Sequence, residues 1–356
     1  MKALKLAVLV LFAVACAKEG NNSGTASSTS SSSGSVDLTG AGATFPYPLY
    51  SKWFDEYAKA TGVKINYQSI GSGGGIRQLS EGTVDFGASD SPMSDAEMAK
   101  AKFGPILHIP TVLGAVVITY NVPALSVPLE LTPQAIADIF SGKITKWNDA
   151  RIASLNPSVS LPSSDILVVH RSDGSGTTYI FTDYLTTAAP SWKSIGKGKE
   201  VNWPVGLGAK GNEGVAGQVK QTPGAIGYVE LAYAKQNRLP IAAVKNKAGK
   251  FVIASVPAVT AAAAGVARTL PANTDFRISV VDAPGPDAYP ISSFTWILVY
   301  QHQRDSVKGK KLVDFLNWAL TYGEPEAPSL DYAPLPSEMT PKVKTKVGTI
   351  DFAGAK

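Results

Sequence analysis

The stretch HRSDGSGTT, residues 170–178, places an arginine, an aspartate, two glycines and a run of hydroxyls within nine positions. It follows DILVVH (165–170), which reads as a buried strand, and a helix is expected after it. Glycines let backbone N–H groups come close to a ligand, and a helix N-terminus offers unpaired donors with a partial positive charge. A strand that passes through such a loop into a helix is the unit of an α/β fold, whose ligands collect at the C-terminal ends of the strands.

Two further loops repeat the pattern. GAGATF (40–45) leads from the strand in VDLTGAGA (36–43) to Thr44 and Phe45, and GSGGG (71–75) carries Ser72 after the strand VKINYQS (63–69). FPYPLYSKWFDEYAKATG (45–62) reads as a helix with proline in its first turn and Gly62 beyond its end; a short helix is expected from Ile76. VDFGAS (84–89) is a strand, and SDAE (94–97) is a capping box. In TPQAIADIFSG (132–142), Thr132 reads as N-cap, Pro133 as the first helical residue and Gly142 as a stop. The alternation argues for α/β architecture with parallel or mixed sheets.

Taken singly, each loop has a plain explanation. Thr44 and Ser175 could be helix N-caps, and Arg171 with Asp173 a surface ion pair. Three glycine loops that each carry a hydroxyl point instead to one oxyanion wrapped by converging strand ends.

The amino terminus sets the compartment. MKALKLAVLVLFAVACAKEG (1–20) has basic Lys2 and Lys5, an apolar run from Leu6 to Ala15, and small residues before Cys16, the layout of an export signal. The run is shorter than the ~20 residues a spanning helix needs. Cys16 is the sole cysteine among 356 residues, so an intramolecular disulfide is impossible, and its place after AVA resembles a lipoprotein acylation site. A Ser/Gly-rich tract (16–35) then reads as a flexible tether. The net charge of +5 comes from scattered lysines, apart from a small cluster in PKVKTKVG (341–348), so a surface mildly attractive to anions is expected and nucleic acid is not.

LTGAGATFPYPLYSKWFDEY (38–57), INYQSIGSGGGIRQL (65–79), VDFGASDSPMSD (84–95), SGKITKWND (141–149), RSDGSGTTYIFTDYL (171–185), GNEGVAGQVKQTPGAIGYVELAYAKQN (211–237) and LDYAPLP (330–336) together closely resemble the phosphate-binding proteins of bacterial high-affinity phosphate ABC importers. The resemblance implies a type II periplasmic-binding-protein fold, two α/β lobes joined by two hinge crossings with the ligand cleft between them. Residues 36–110 plus 290–356 would form one lobe and 111–289 the other, with signal peptide 1–15 removed and a lipid such as palmitate on Cys16. It implies a monomeric extracytoplasmic receptor, periplasmic or on the cell surface, without cofactor, metal or catalysis, that hands inorganic phosphate to permease and ATPase subunits. Carried over by motif, the phosphate contacts fall on Thr44, Phe45 N–H, Ser72, Asp90, Arg171, Asp173, Ser175, Gly176 and Thr177. The loop GSGGG departs from relatives that have a second serine after the first, which removes one hydroxyl at position 73.

Within that set Arg171 supplies a fixed fork for an oxyanion and Asp173 orients it. Asp90 is a carboxylate aimed at an anion, sensible when the ligand brings a proton, as phosphate does at neutral pH and sulfate does not. Alternatives are a receptor for another tetrahedral oxyanion, or a phosphatase with Ser175 as nucleophile and His170 as base. The latter lacks a G-x-S-x-G elbow, the three histidines lack metal-ligand spacing, and no Gly-Lys pair is followed by Ser or Thr as a P-loop requires.

Overall fold

The computed structural model describes residues 38–352 apart from 124, 126 and 272. The export signal, Cys16 and the tether lie outside the described residues.

In chain order the elements are β1 (Leu38–Gly42), α1 (Tyr47–Thr61), β2 (Ile65–Ser69), α2 (Ser72–Glu81), β3 (Phe86–Ser89), α3 (Asp95–Met98), β4 (Ile106–Tyr120), β5 (Glu130–Leu131), α4 (Pro133–Phe140), α5 (Ala150–Ala153), β6 (Leu167–Arg171) and α6 (Gly176–Ala188). Then follow β7 (Leu207–Ala209), α7 (Gly211–Gln221), β8 (Ala225–Glu230), α8 (Leu231–Gln236), β9 (Ala243–Lys245), β10 (Phe251–Val252), α9 (Val256–Thr269), β11 (Ser292–Tyr300), α10 (Ser306–Trp318) and α11 (Thr340–Val347).

Local chemistry explains several of these. Helix α1 buries one stripe, Leu49, Tyr50, Trp53, Phe54 and Tyr57, and closes on Gly62 in the left-handed conformation. The box at Ser94 and Glu97 forms with both hydrogen bonds present, and Thr132 caps α4 through Ala135 N–H. Helix α2 begins at Ser72, four residues before the expected start at Ile76. Its three glycines are poor helix formers, but a Cβ at Gly75 would lie 2.4 Å from Gly42 Cα, so packing of α2 onto β1 selects glycine there and overrides propensity.

The main sheet has eight strands in the order β2-β1-β3-β11-β4-β8-β6-β7, and a small one runs β10-β9-β5. Strands β1, β2 and β3 are mutually parallel, as are β6, β7 and β8. Between them β11 is antiparallel to both β3 and β4, and β4 is antiparallel to β8. Three reversals therefore turn the second parallel set against the first. The 15-residue β4 joins them: its Ile106–Ala115 stretch pairs with β11, and Val116–Tyr120 pairs with β8. Both sets consequently aim their C-terminal ends at the middle of β4, where Ser89 is linked through Trp296 to Pro110, and Glu230 lies opposite Val116. The register slips between Thr295 and Trp296, across from Pro110, which has no N–H to give the ladder. The boundary expected at 110/111 falls inside this strand. Among the described residues no helix is long and apolar enough to cross a membrane.

Candidate functional site

The glycine loops leave the strand ends at the place the topology selects. On the first side, β1 continues into Thr44 and Phe45, both buried. Their carbonyls are tied back, Thr44 O by Tyr233 hydroxyl at 2.6 Å and Phe45 O by Tyr332 hydroxyl at 2.7 Å. Ser72 opens α2, and its Oγ accepts Asp90 N–H at 3.2 Å. Asp90, one residue past β3, is 1% exposed and takes Thr295 hydroxyl on Oδ1 at 2.7 Å. Burial pushes its carboxyl up to about 7, against the opposing pull of the Thr295 hydrogen bond and the charge of Arg171.

On the second side, β6 ends in Arg171, 3% exposed. Its Nε donates to Asp173 Oδ1 at 2.7 Å and Nη2 to Oδ2 at 2.5 Å, a bidentate fork. This is a buried pair, not the surface ion pair of the simpler explanation. Burial alone would raise Asp173, yet the guanidinium and the N–H of Gly211 at 3.1 Å hold it below the ordinary carboxylate range. Ser175 caps α6 by accepting Thr178 N–H at 3.0 Å, so its N-cap explanation holds. The 13-residue helix then begins at Gly176, next to Ser72 and Asp90, and a helix N-terminus carries a partial positive charge. Thr44 is no cap: α1 has Pro46 there, without a side-chain cap, and Thr44 Oγ1 faces Asn212 instead.

The two sides meet. Gly73 N–H donates to Gly174 O at 2.8 Å. A Cβ on Gly176 would stand 2.5 Å from Ser72 Oγ and 2.6 Å from Asp90 Oδ2, so this approach admits glycine alone. Around the rim Lys199 pairs with Glu97 at 2.7 Å and Arg277 with Asp95 at 2.6 Å. Thr44, Phe45, Ser72, Asp90, Arg171, Ser175, Gly176 and Thr177 are buried and Asp173 nearly so. Asn212 links Thr44 to Thr177, Thr177 and Asp173 both bond Arg171, and Gly176 approaches Ser72 and Asp90.

Two participants escaped sequence reading. Thr295, from β11, holds Asp90. Asn212, fully buried at the start of α7, gives Nδ2 to Thr44 Oγ1 at 2.8 Å and to Thr177 Oγ1 at 3.0 Å. The signal for Asn212 was the glycine at 211 between a strand and a helix, a fourth passage of the same kind. Thr295 has no local signal; it lies in an apolar strand.

The cradle combines one buried guanidinium, hydroxyl and amide donors, and one carboxyl that readily holds or accepts a proton. The chemistry of such a set suits a dehydrated, partly protonated oxyanion. His170 is turned to other work: its ring stacks on Trp203 at 4.8 Å and Nδ1 lies 3.0 Å from Arg171 O. Among the described residues no three His, Cys, Asp or Glu side chains cluster as metal ligands.

A family model described as a PBP superfamily domain matches residues 24–321. A phosphate-binding protein PstS from Pasteurella multocida is 45% identical over 320 residues, covering 88% of this chain and 92% of that protein. Another from Xylella fastidiosa is 45% identical over 312 residues, 87% of this chain and 84% of its own length. Among solved structures, a phosphate binding protein from Stenotrophomonas maltophilia superposes with a TM-score of 0.72 at 24% identity, covering 90% of this chain and 96% of that one. The likeness shows the fold, the type II periplasmic-binding-protein arrangement expected from the sequence.

Proposed function

This chain belongs to the PstS family of phosphate-binding proteins, and on that premise we propose that it encloses inorganic phosphate between two α/β lobes and delivers it to the permease and ATPase subunits of an ABC importer. It is a binding protein and not an enzyme. The observation that carries this reading is that buried Arg171 lies close enough for its charge to act on a buried carboxyl at Asp90, which burial pushes up to about 7. Arg171 meets the ligand's charge. Asp90 accepts a ligand proton in a short hydrogen bond, whereas a fully ionised anion would set acceptor against acceptor where low dielectric makes this costly.

Thr44, the N–H of Phe45, Ser72, Ser175, Gly176 and Thr177 complete the phosphate contacts, and Asp173 holds the guanidinium in place. The lobes are residues 36–110 with 290–356, and 111–289; the change of partner along β4, from β11 up to Ala115 to β8 from Val116, supports a division into two lobes. Isothermal titration with phosphate, sulfate and an organic phosphate tests the reading. Tight binding of phosphate with little heat from the other two is expected, and equal affinity for sulfate would overturn it.

The protein is an exported monomer held to a membrane by acylation of Cys16, which the sequence of the amino terminus supports. A single acyl chain attaches only marginally, so several chains would act together. Cys16→Ser is expected to release the protein from the membrane fraction, and an unchanged membrane fraction would remove the anchor from the account.

A further inference from the structure

Asn212 stands between the two sides of the cleft and touches a hydroxyl of each. Its Oδ1 accepts Glu230 N–H at 2.9 Å, which dictates the orientation of the amide, since the rotated form would set two donors against each other. Nδ2 is thereby turned toward Thr44 and Thr177.

We propose that Asn212 is a positioning residue that fixes the hydrogen-bond polarity of these two hydroxyls, making both obligate donors to the bound anion. The proposal rests on the receptor reading and assigns a specificity device within that same site.

A threonine hydroxyl has one proton and two lone pairs. Thr44 Oγ1 accepts Asn212 Nδ2 at 2.8 Å and Asn212 N–H at 3.2 Å. Thr177 Oγ1 accepts Asn212 Nδ2 at 3.0 Å and Arg171 Nη1 at 3.3 Å. The acceptor capacity of both oxygens is used, and the remaining proton of each is left for the cradle. The amide has no further hydrogen to give, and its oxygen is engaged on Glu230.

The consequence reaches Asp90. A hydroxyl free to rotate can either give or take a hydrogen bond, and each one free to take would offer the ligand's proton another seat. With Thr44 and Thr177 committed as donors, two competing seats for that proton are removed and the carboxylate of Asp90 is favoured as its place. Asn212 also spans residues from both parallel strand sets, so this polarity is complete only when the two sides have closed.

A mutant cycle read by isothermal titration with inorganic phosphate tests the assignment. Asn212→Ala is expected to weaken binding about 10- to 100-fold in the wild-type background, the range for one or two lost hydrogen bonds to a charged partner. In a Thr44→Val, Thr177→Val background, where there is no hydroxyl to orient, the same substitution should change affinity less than about threefold. An equal loss in both backgrounds, or none in either, overturns the proposal, because a merely structural asparagine would not depend on the hydroxyls. Should Asn212→Ala not fold, as judged by its thermal melt, Asn212→Ser keeps a polar atom near Glu230 N–H and enters the same cycle with the same two outcomes. A wild-type protein that takes up no phosphate would instead sink the receptor reading itself.

Discussion

Asp90 follows β3 and Asp173 follows β6, and the two sides treat the same side chain in opposite ways. On the β6 side a bidentate guanidinium and a backbone N–H hold Asp173 ionised. On the β3 side Asp90 has a hydroxyl, a serine-bound backbone and deep burial, and its carboxyl rises to about 7. Residue type does not decide a carboxylate's role; its neighbours do. The β6 side neutralises charge, with Asp173 serving to aim Arg171. In the receptor proposed above, the β3 side would ask whether the ligand has a proton, so capture and discrimination would be carried by different halves and a ligand would satisfy both only when they close on it.

Removing the cation should do the most damage. Arg171→Met leaves Asp173 without its partner and the anion without a counter-charge, and phosphate affinity is expected to fall about a thousandfold, within the ~2–5 kcal/mol typical of breaking a buried charged pair. A loss of only a few-fold in titration would mean that the hydroxyls and amides suffice, and would break the division of labour at its stronger side.

Next comes the reader of protons. Asp90→Asn replaces a carboxyl that is acceptor-only when ionised with an amide that donates at every pH, so sulfate binding should rise relative to phosphate by about 10- to 100-fold, while phosphate itself weakens modestly. Competition titrations decide it, and an unchanged preference would remove Asp90 as the filter. Ser175→Ala sharpens the comparison from the β6 side. It removes both a donor to the anion and the cap of α6, so phosphate should bind a few-fold to about a hundredfold more weakly and the helix lose about 1 kcal/mol, without any change in the phosphate-to-sulfate ratio.

A last effect, read without ligand, is a pH dependence of closing. An acid whose pKa is raised on burial favours the closed form when protonated. The closed fraction should therefore fall as pH rises between the ordinary carboxylate value of 3.8 and about 7, and level off above. Small-angle scattering of the ligand-free protein reads this as a growing radius of gyration, and Asp90→Asn should flatten the curve. A curve of the same shape in that variant would place the titrating group elsewhere.

Much of this was legible in the chain because its carriers are local. The stretch 170–178 contains its own strand end, fork, cap and helix start, and GATF and GSGGG likewise announce themselves by composition. The start of α2 was misjudged because three glycines argue against a helix, and only the contact of Gly75 with Gly42 explains why they sit in one. Thr295 was invisible for a different reason. It lies 205 residues from Asp90 and reaches it only because β11 is inserted antiparallel between β3 and β4. Asn212 falls between these extremes: its glycine passage is readable, but the two hydroxyls it joins are brought together only by the closed cleft.

The enclosure itself has a kinetic consequence. With Ser72, Ser175 and Thr177 wholly buried, and Gly73 bonded to Gly174 across the opening, a ligand inside cannot dissociate faster than the two halves part. Residence time is then a property of the rim as much as of the cradle. The ion pairs Lys199–Glu97 and Arg277–Asp95 join residues of the two halves and would contribute to that rate. Any acceptor of the ligand that works faster than spontaneous opening must grip the two halves and pull, so delivery is timed by the machine that receives the cargo and not by the strength of the contacts that hold it.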